Sequence, residues 1–173
     1  MTRLFLFFLW LMMHFADPHP FTPLANAARE GDIAQIRTLV ARGADPNEAV
    51  GVNNWPPLMH AIHKNQIAAV AALLDVRANP NAAAPTGETP LMMAAGYGQT
   101  AIVQLLLKRG ADPRLTDRRG ESALDWALTG TNDIDDLTLF RCQDETARVL
   151  IAAGAHAKAA SVRFARLKGC IAP

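Results

Sequence analysis

The chain has 173 residues, half of them apolar and 19% charged, which is enough apolar material for one sizeable core and excludes wholesale disorder. Seventeen Lys and Arg against sixteen Asp and Glu leave a formal charge of +1, too balanced for nucleic acid or an anionic membrane to be a partner of the whole surface. Thirty-two alanines against a single tyrosine favour short, closely packed helices over a β-sandwich.

The chain opens with Met1-Thr2-Arg3, then an unbroken apolar run from Leu4 to Met13, then His14-Phe15-Ala16-Asp17-Pro18. That run is too short to cross a bilayer, which takes about 20 helical residues, but a secretory signal needs only about 7 to 15 behind a positive start. Residues 1–16 are therefore expected to be a signal peptide or a short hydrophobic anchor. The protein is then exported, to a bacterial periplasm or cell envelope. Ala16 suits the residue before the cut, although His14 is a poor small residue two places earlier. Ala25-Asn26-Ala27 fits the cleavage rule better, but a cut there would remove part of the first helix of the fold. The alternative is a cytoplasmic protein in which residues 4–13 form a hydrophobic cap.

From residue 22 onward the sequence repeats. Thr22-Pro23-Leu24, Pro56-Pro57-Leu58, Thr89-Pro90-Leu91 and Ser122-Ala123-Leu124 follow one another at 34, 33 and 33 residues. Gly43-Ala44-Asp45-Pro46-Asn47, Arg77-Ala78-Asn79-Pro80-Asn81 and Gly110-Ala111-Asp112-Pro113-Arg114 keep the same beat. Gly154-Ala155-His156 comes 44 residues later, as if about 11 residues had been inserted. Within a unit, Thr or Ser offers an N-cap oxygen and Pro at the first helical position costs no hydrogen bond. A short Ala-rich helix such as Leu91-Met92-Met93-Ala94-Ala95 follows, then a break at Gly31 or Gly98. The second helix carries apolar residues at helical spacing: Ile36, Leu39 and Val40, then Val70, Leu73 and Leu74, then Val103, Leu106 and Leu107. Gly43 and Gly110 stand where a left-handed C-cap is needed, and the Asp-Pro-Asn string reads as an extended turn.

A unit of this form, with Gly87-Glu88-Thr89-Pro90-Leu91 through Gly110-Ala111-Asp112 as its best copy, resembles the ankyrin repeat. The resemblance covers about residues 19–157 and implies an all-α solenoid of stacked helix–turn–helix units with projecting β-turn fingers. The expected division is an ankyrin-repeat domain over 17–157, with repeats at about 19–51, 52–84, 85–117 and 118–157. An insertion at 132–142 lies in the last repeat, and a C-terminal capping helix and tail occupy 158–173. One unit cannot bury its own apolar face, so neighbours supply each other's core. Repeat two departs from the pattern, with Pro56 in place of the capping Thr and Arg77 in place of the terminal Gly, and should be locally weaker. In the capping helix Ala160, Phe164 and Leu167 form an apolar stripe, expected to close the stack, with four cations on other positions. Those cations could instead meet anionic lipid or an acidic partner.

No Gly-rich phosphate loop, nucleophile elbow or zinc-protease motif appears, so neither an enzyme nor a cofactor is expected. His60 and His63 could offer two ligands to a metal, and Asp133, Asp135 and Asp136 invite a calcium reading, but His60 should face the packed side and the acidic stretch lacks the closing Glu of a calcium loop. No metal site is expected, and metal-dependent activity is the remote alternative. Cys142 and Cys170 could be bridged in an oxidising compartment.

The expected activity is binding of another protein. In ankyrin repeats partners touch the finger tips and the exposed positions of the first helices. Carried over by register, those positions are Arg29 and Glu30; Val52, Asn53, Trp55, His63 and Lys64; Thr86, Glu88 and Tyr97; and Arg118, Arg119 and Glu121. Trp55, Tyr97, Arg118 and Arg119 are the expected anchors, since aromatic and Arg side chains dominate interface energetics. Trp126 is expected in the core. The chain should be a monomer touching the membrane only through a retained N-terminal segment, with a membrane-tethered adaptor as the alternative.

Overall fold

The computed structural model describes residues 21–130 and 143–169. The N-terminal apolar run, the acidic insertion, Cys142 and Cys170 lie outside the described residues.

Among the described residues four helix pairs follow one another: α1 (Pro23–Glu30) with α2 (Ile33–Ala41), α3 (Pro57–His63) with α4 (Ile67–Asp75), α5 (Pro90–Gly96) with α6 (Thr100–Lys108), and α7 (Ala123–Thr129) with α8 (Asp144–Ala152). A further helix, α9 (Ala159–Leu167), follows α8. The first helix of each pair packs on the first helix of the next, giving an inner row α1–α3–α5–α7–α9, and the second helices make an outer row α2–α4–α6–α8. The core is the sheet of contact between and within these rows, where Ile36, Leu58, Met59, Ile62, Leu73, Leu91, Met92, Met93, Ile102, Leu106, Leu124 and Leu128 are fully buried. The result is an all-α solenoid in which each unit's apolar face is covered by its neighbours.

The inner helices begin where the cap chemistry places them. Thr22, Thr89 and Ser122 are the N-caps, and their hydroxyls accept from the amides of Ala25, Met92 and Asp125. Pro56 caps α3 with no side-chain bond, as its chemistry requires. Arg77, in the place of a terminal glycine, is held at φ 69°, a backbone conformation that costs a non-glycine residue free energy.

Polar rungs set the register between units. The side-chain amides of Gln66 and Gln99 donate to the carbonyls of Arg29 (3.4 Å) and Ile62 (2.9 Å), in the last turns of the preceding inner helices. Along the base of the fingers, the Asn47 side-chain oxygen accepts from the Asn79 amide (2.7 Å), and that of Asn81 accepts from the Asp112 amide (2.8 Å). The ladder stops at the third unit, where Arg114 turns back onto Asp112 instead (3.0 and 3.2 Å).

The capping helix does dock on α7, but not by the expected stripe. Ser161 and Ala165 are the buried residues, whereas Ala160 is exposed and Leu167 is 81% exposed. The cause is Asp125, buried at the start of α7. Its Oδ1 accepts the Lys158 amide at the start of α9 (2.7 Å), its Oδ2 accepts the Ser122 amide (2.8 Å), and the Ser161 hydroxyl bonds it as well. Satisfying a buried carboxylate fixes which side of α9 faces inward.

Candidate functional site

Three fingers project from the inner row. In the first, Val50 and Trp55 form a bridge, with 3.0 and 3.1 Å bonds between their backbones, and Val52 is 77% exposed at the tip. The second turns between Ala84 and Glu88, and the third between Asp117 and Glu121, each closed by a 2.9 Å backbone bond. The second and third are joined by the Arg118 amide, which donates to the Thr86 carbonyl (3.0 Å). Gly87 permits that approach: at φ 84°, a Cβ on it would lie 2.9 Å from the Arg118 nitrogen. In the third finger Asp117, itself buried, accepts the amides of Arg119 (2.9 Å) and Glu121 (2.8 Å).

Fingers and inner helices enclose an open groove of about 670 Å³. Trp55, Tyr97, Trp126 and Phe164 supply its aromatic surface, and Glu88, Arg119 and Glu121 its charges. Arg119 is held in place: Nη2 lies 2.7 Å from Glu121, Nε 3.2 Å from Asp117, and the guanidinium is 5.8 Å from the centre of the Trp126 ring. A positioned Arg beside aromatic rings on a wet, concave surface can offer both stacking area and directed donors to a polypeptide.

Under the first finger the rings continue as a chain. Arg29 stands 4.5 Å over the Phe21 ring, Phe21 meets His60 edge-on at 5.0 Å, and Trp55 lies 5.7 Å from His60 and 5.6 Å from His63. His63 Nδ1 is 3.0 Å from the Tyr97 hydroxyl, so repeats two and three are tied along the inner face. His60 is 5% exposed and its Nε2 has no hydrogen-bond partner. Burial, assisted by the charges of Arg29 and the neighbouring His63, lowers its pKa to about 4, so it is a neutral packing residue at pH 7. Among the described residues no group of three or more His, Cys, Asp or Glu could hold a metal ion.

The sequence-derived residues distribute unevenly over this surface. Trp55, Glu88, Tyr97, Arg119 and Glu121 line the groove together, with Val52, Asn53 and Thr86 at its finger side. His63 supports it from beneath through Trp55 and Tyr97. Lys64 and Arg118 are exposed outside its lining, Arg118 giving only its backbone to the second finger. Trp126, expected in the core, is half-buried: it packs on the core and turns its other side to the groove, with Nε1 buried and unpartnered. Phe164 adds to the groove although its place in the apolar stripe points to the core, and Phe21, ahead of the first repeat string, has no local pattern that marks its contact with His60.

This arrangement defines a class: a helical-repeat solenoid carrying a finger-bounded groove on its inner row. A family model described as ankyrin repeats in three copies matches residues 5–84, and one described as ankyrin repeats in many copies matches residues 77–127. The chain belongs to the ankyrin-repeat family. It is similar to ankyrin repeat family A protein 2 of Mus musculus, 54% identical over 43 residues, covering 25% of this chain and 14% of that one. It is also similar to an ankyrin repeat-containing protein of Treponema pallidum (33% over 104 residues, 60% of this chain and 35% of the other). A third similarity is to the ankyrin repeat protein YahD of Escherichia coli (43% over 74 residues, 40% and 31%). The chain thus spans about a third or less of these relatives' lengths. Ankyrin repeats are in general protein–protein interaction modules, and the family is generally non-enzymatic.

Proposed function

We propose that this chain is a non-enzymatic binding module that holds a segment of a partner protein in the groove between its fingers and inner helices. The observation that carries the reading is the convergence of Trp55, Tyr97, Trp126 and the fixed Arg119 on one open concavity. Aromatic and Arg side chains with restricted rotamers lose little entropy on binding, which is what interface anchors need. Arg3 followed by the apolar run Leu4–Met13 supports export, with the partner in the cell envelope and the module protecting, assisting or inhibiting it. The module acts as a monomer.

Two variants test the groove. Val52→Asp and Arg119→Ala change exposed side chains, so thermal unfolding should move little while affinity for a partner isolated on the wild-type chain falls by roughly tenfold or more. Unaltered affinity in both would refute the groove as the binding face. N-terminal sequencing of the mature protein tests export separately: a new terminus near Asp17 is expected, and an intact Met1 in a cytosolic fraction contradicts it.

A further inference from the structure

The three fingers make the same tight turn. In residues 51–54, 84–87 and 117–120 the amide of the fourth residue donates to the carbonyl of the first, at 3.0, 2.8 and 2.8 Å. The third residue of each turn, Asn53, Thr86 or Arg119, leaves its carbonyl outside that bond. Two of these carbonyls are taken by the next unit. Thr86 accepts the Arg118 amide of the third finger (3.0 Å), and Arg119 accepts the Lys158 ammonium. The Asn53 carbonyl accepts no hydrogen bond from a described residue.

Two residues account for the difference. On the pattern of the second and third fingers, the donor to Asn53 would be the amide of residue 85, which stands in its turn where Arg118 stands in the next. That residue is Pro85, which has no N–H. Close approach also needs bare backbone at the fourth place of the turn. Gly87 provides it, since a Cβ there would lie 2.9 Å from the Arg118 nitrogen and 3.0 Å from the Asp117 Cα. The first finger has Asn54 at that place, held at φ 50° and carrying a Cβ. Among the described residues the second and third fingers are therefore bonded and the first and second are not. The unbonded junction falls on the groove, which is lined there by Val52 and Asn53 of the first finger and by Pro85 and Thr86 of the second.

We propose, taking the groove as the binding face, that Asn54 and Pro85 are positioning residues that hold the first finger off the second, so that the partner's segment enters the groove between these two fingers. The two act as independent locks. An amide at residue 85 alone still meets the Asn54 Cβ, and removing that Cβ alone supplies no donor. Only both changes together make the first junction a copy of the second, where one added hydrogen bond favours the joined fingers by a factor of roughly five. A segment that needs the fingers apart then loses affinity by about that factor, because only the open fraction binds.

The test uses the full chain as wild type, Asn54→Gly, Pro85→Ala and the double variant. Asn54 and Pro85 are exposed turn residues, so circular dichroism should be the same for all four. Amide exchange by nuclear magnetic resonance reads the fingers directly. The residue 85 amide should exchange roughly fivefold or more slowly in the double variant than in Pro85→Ala alone, while the Arg118 amide stays protected throughout. The binding probe is a labelled synthetic peptide, chosen from a random displayed library for binding the wild-type chain and not Arg119→Ala. By fluorescence anisotropy the single variants should bind it within about twofold of wild type and the double variant roughly fivefold or more weakly, a non-additive result that a merely local role of either residue does not give. No added protection in the double variant overturns the claim that these residues keep the fingers apart. Protection without loss of affinity overturns the entrance, and a full loss from either single variant overturns the positioning role in favour of direct contact. Failure to obtain any peptide that depends on Arg119 counts against the groove itself, which separates that failure from the others.

Discussion

His60 makes stability depend on pH in a way that can be isolated. Its imidazole is enclosed by Phe21 and Trp55, and burial lowers its pKa from an ordinary 6.5 to about 4. The folded chain therefore resists a proton that the unfolded chain accepts below pH 6.5. Unfolding then takes up protons between those two values, so stability is full above pH 6.5 and falls as pH drops toward 4. At about 1.4 kcal/mol per pH unit, the full interval corresponds to about 3 kcal/mol, on the order of a third of a small domain's stability. Urea unfolding followed by circular dichroism at pH 7.5, 6.5, 5.5 and 4.5 measures this. Carboxylates also begin to titrate at the acid end, so the comparison is with His60→Leu, which keeps an apolar group in the ring cluster and removes the titration. The wild-type curve should fall about 2 to 3 kcal/mol further than the variant's between pH 6.5 and 4.5. Parallel curves would refute the claim that burial, rather than ring packing alone, governs this residue.

Other expectations follow from the same geometry. Asp125→Ala removes the carboxylate that fixes α9, leaving the Lys158 amide without its partner; a loss of about 2 to 4 kcal/mol and faster amide exchange across Ala159–Leu167 are expected. Because hydrogen bonds outweigh burial and hold the Asp125 pKa below its ordinary 3.8, its contribution is present at neutral pH and fades as pH falls below about 4. Leu106→Ala, at a fully buried position of α6, should cost about 2 to 5 kcal/mol by calorimetry. Gly87→Val puts a branched side chain at φ 84° against the Arg118 backbone, so the Arg118 amide should exchange faster and the second and third fingers separate.

How much was legible in the sequence varies along the chain. Thr22, Thr89 and Ser122 announced three inner helices because cap chemistry is local, acting within three residues. The same register carried Trp55, Glu88, Tyr97, Arg119 and Glu121 to one face. What it could not carry were contacts made between units. Phe21 reaches His60 from 39 residues away in sequence, and no local pattern distinguishes that ring from any other. Trp126 read as core because it sits among apolar residues, yet a large ring at the boundary is half-buried and serves both sides. In α9 the apolar periodicity pointed to Ala160, Phe164 and Leu167, but the polar demand of a buried Asp125 on the preceding helix decided the orientation. Hydrophobic pattern locates helices well; the inward face at the end of a stack is set by the neighbour.

The central claim is that the partner lies across the finger-bounded groove of the inner row. A photo-reactive benzoylphenylalanine placed at Val52, on the finger tip, and separately at Arg37, exposed on outer helix α2, tests it in the native host. Covalent capture of one partner from position 52 and none from position 37 is predicted. Capture of that partner from position 37 alone would contradict the assignment of the binding face.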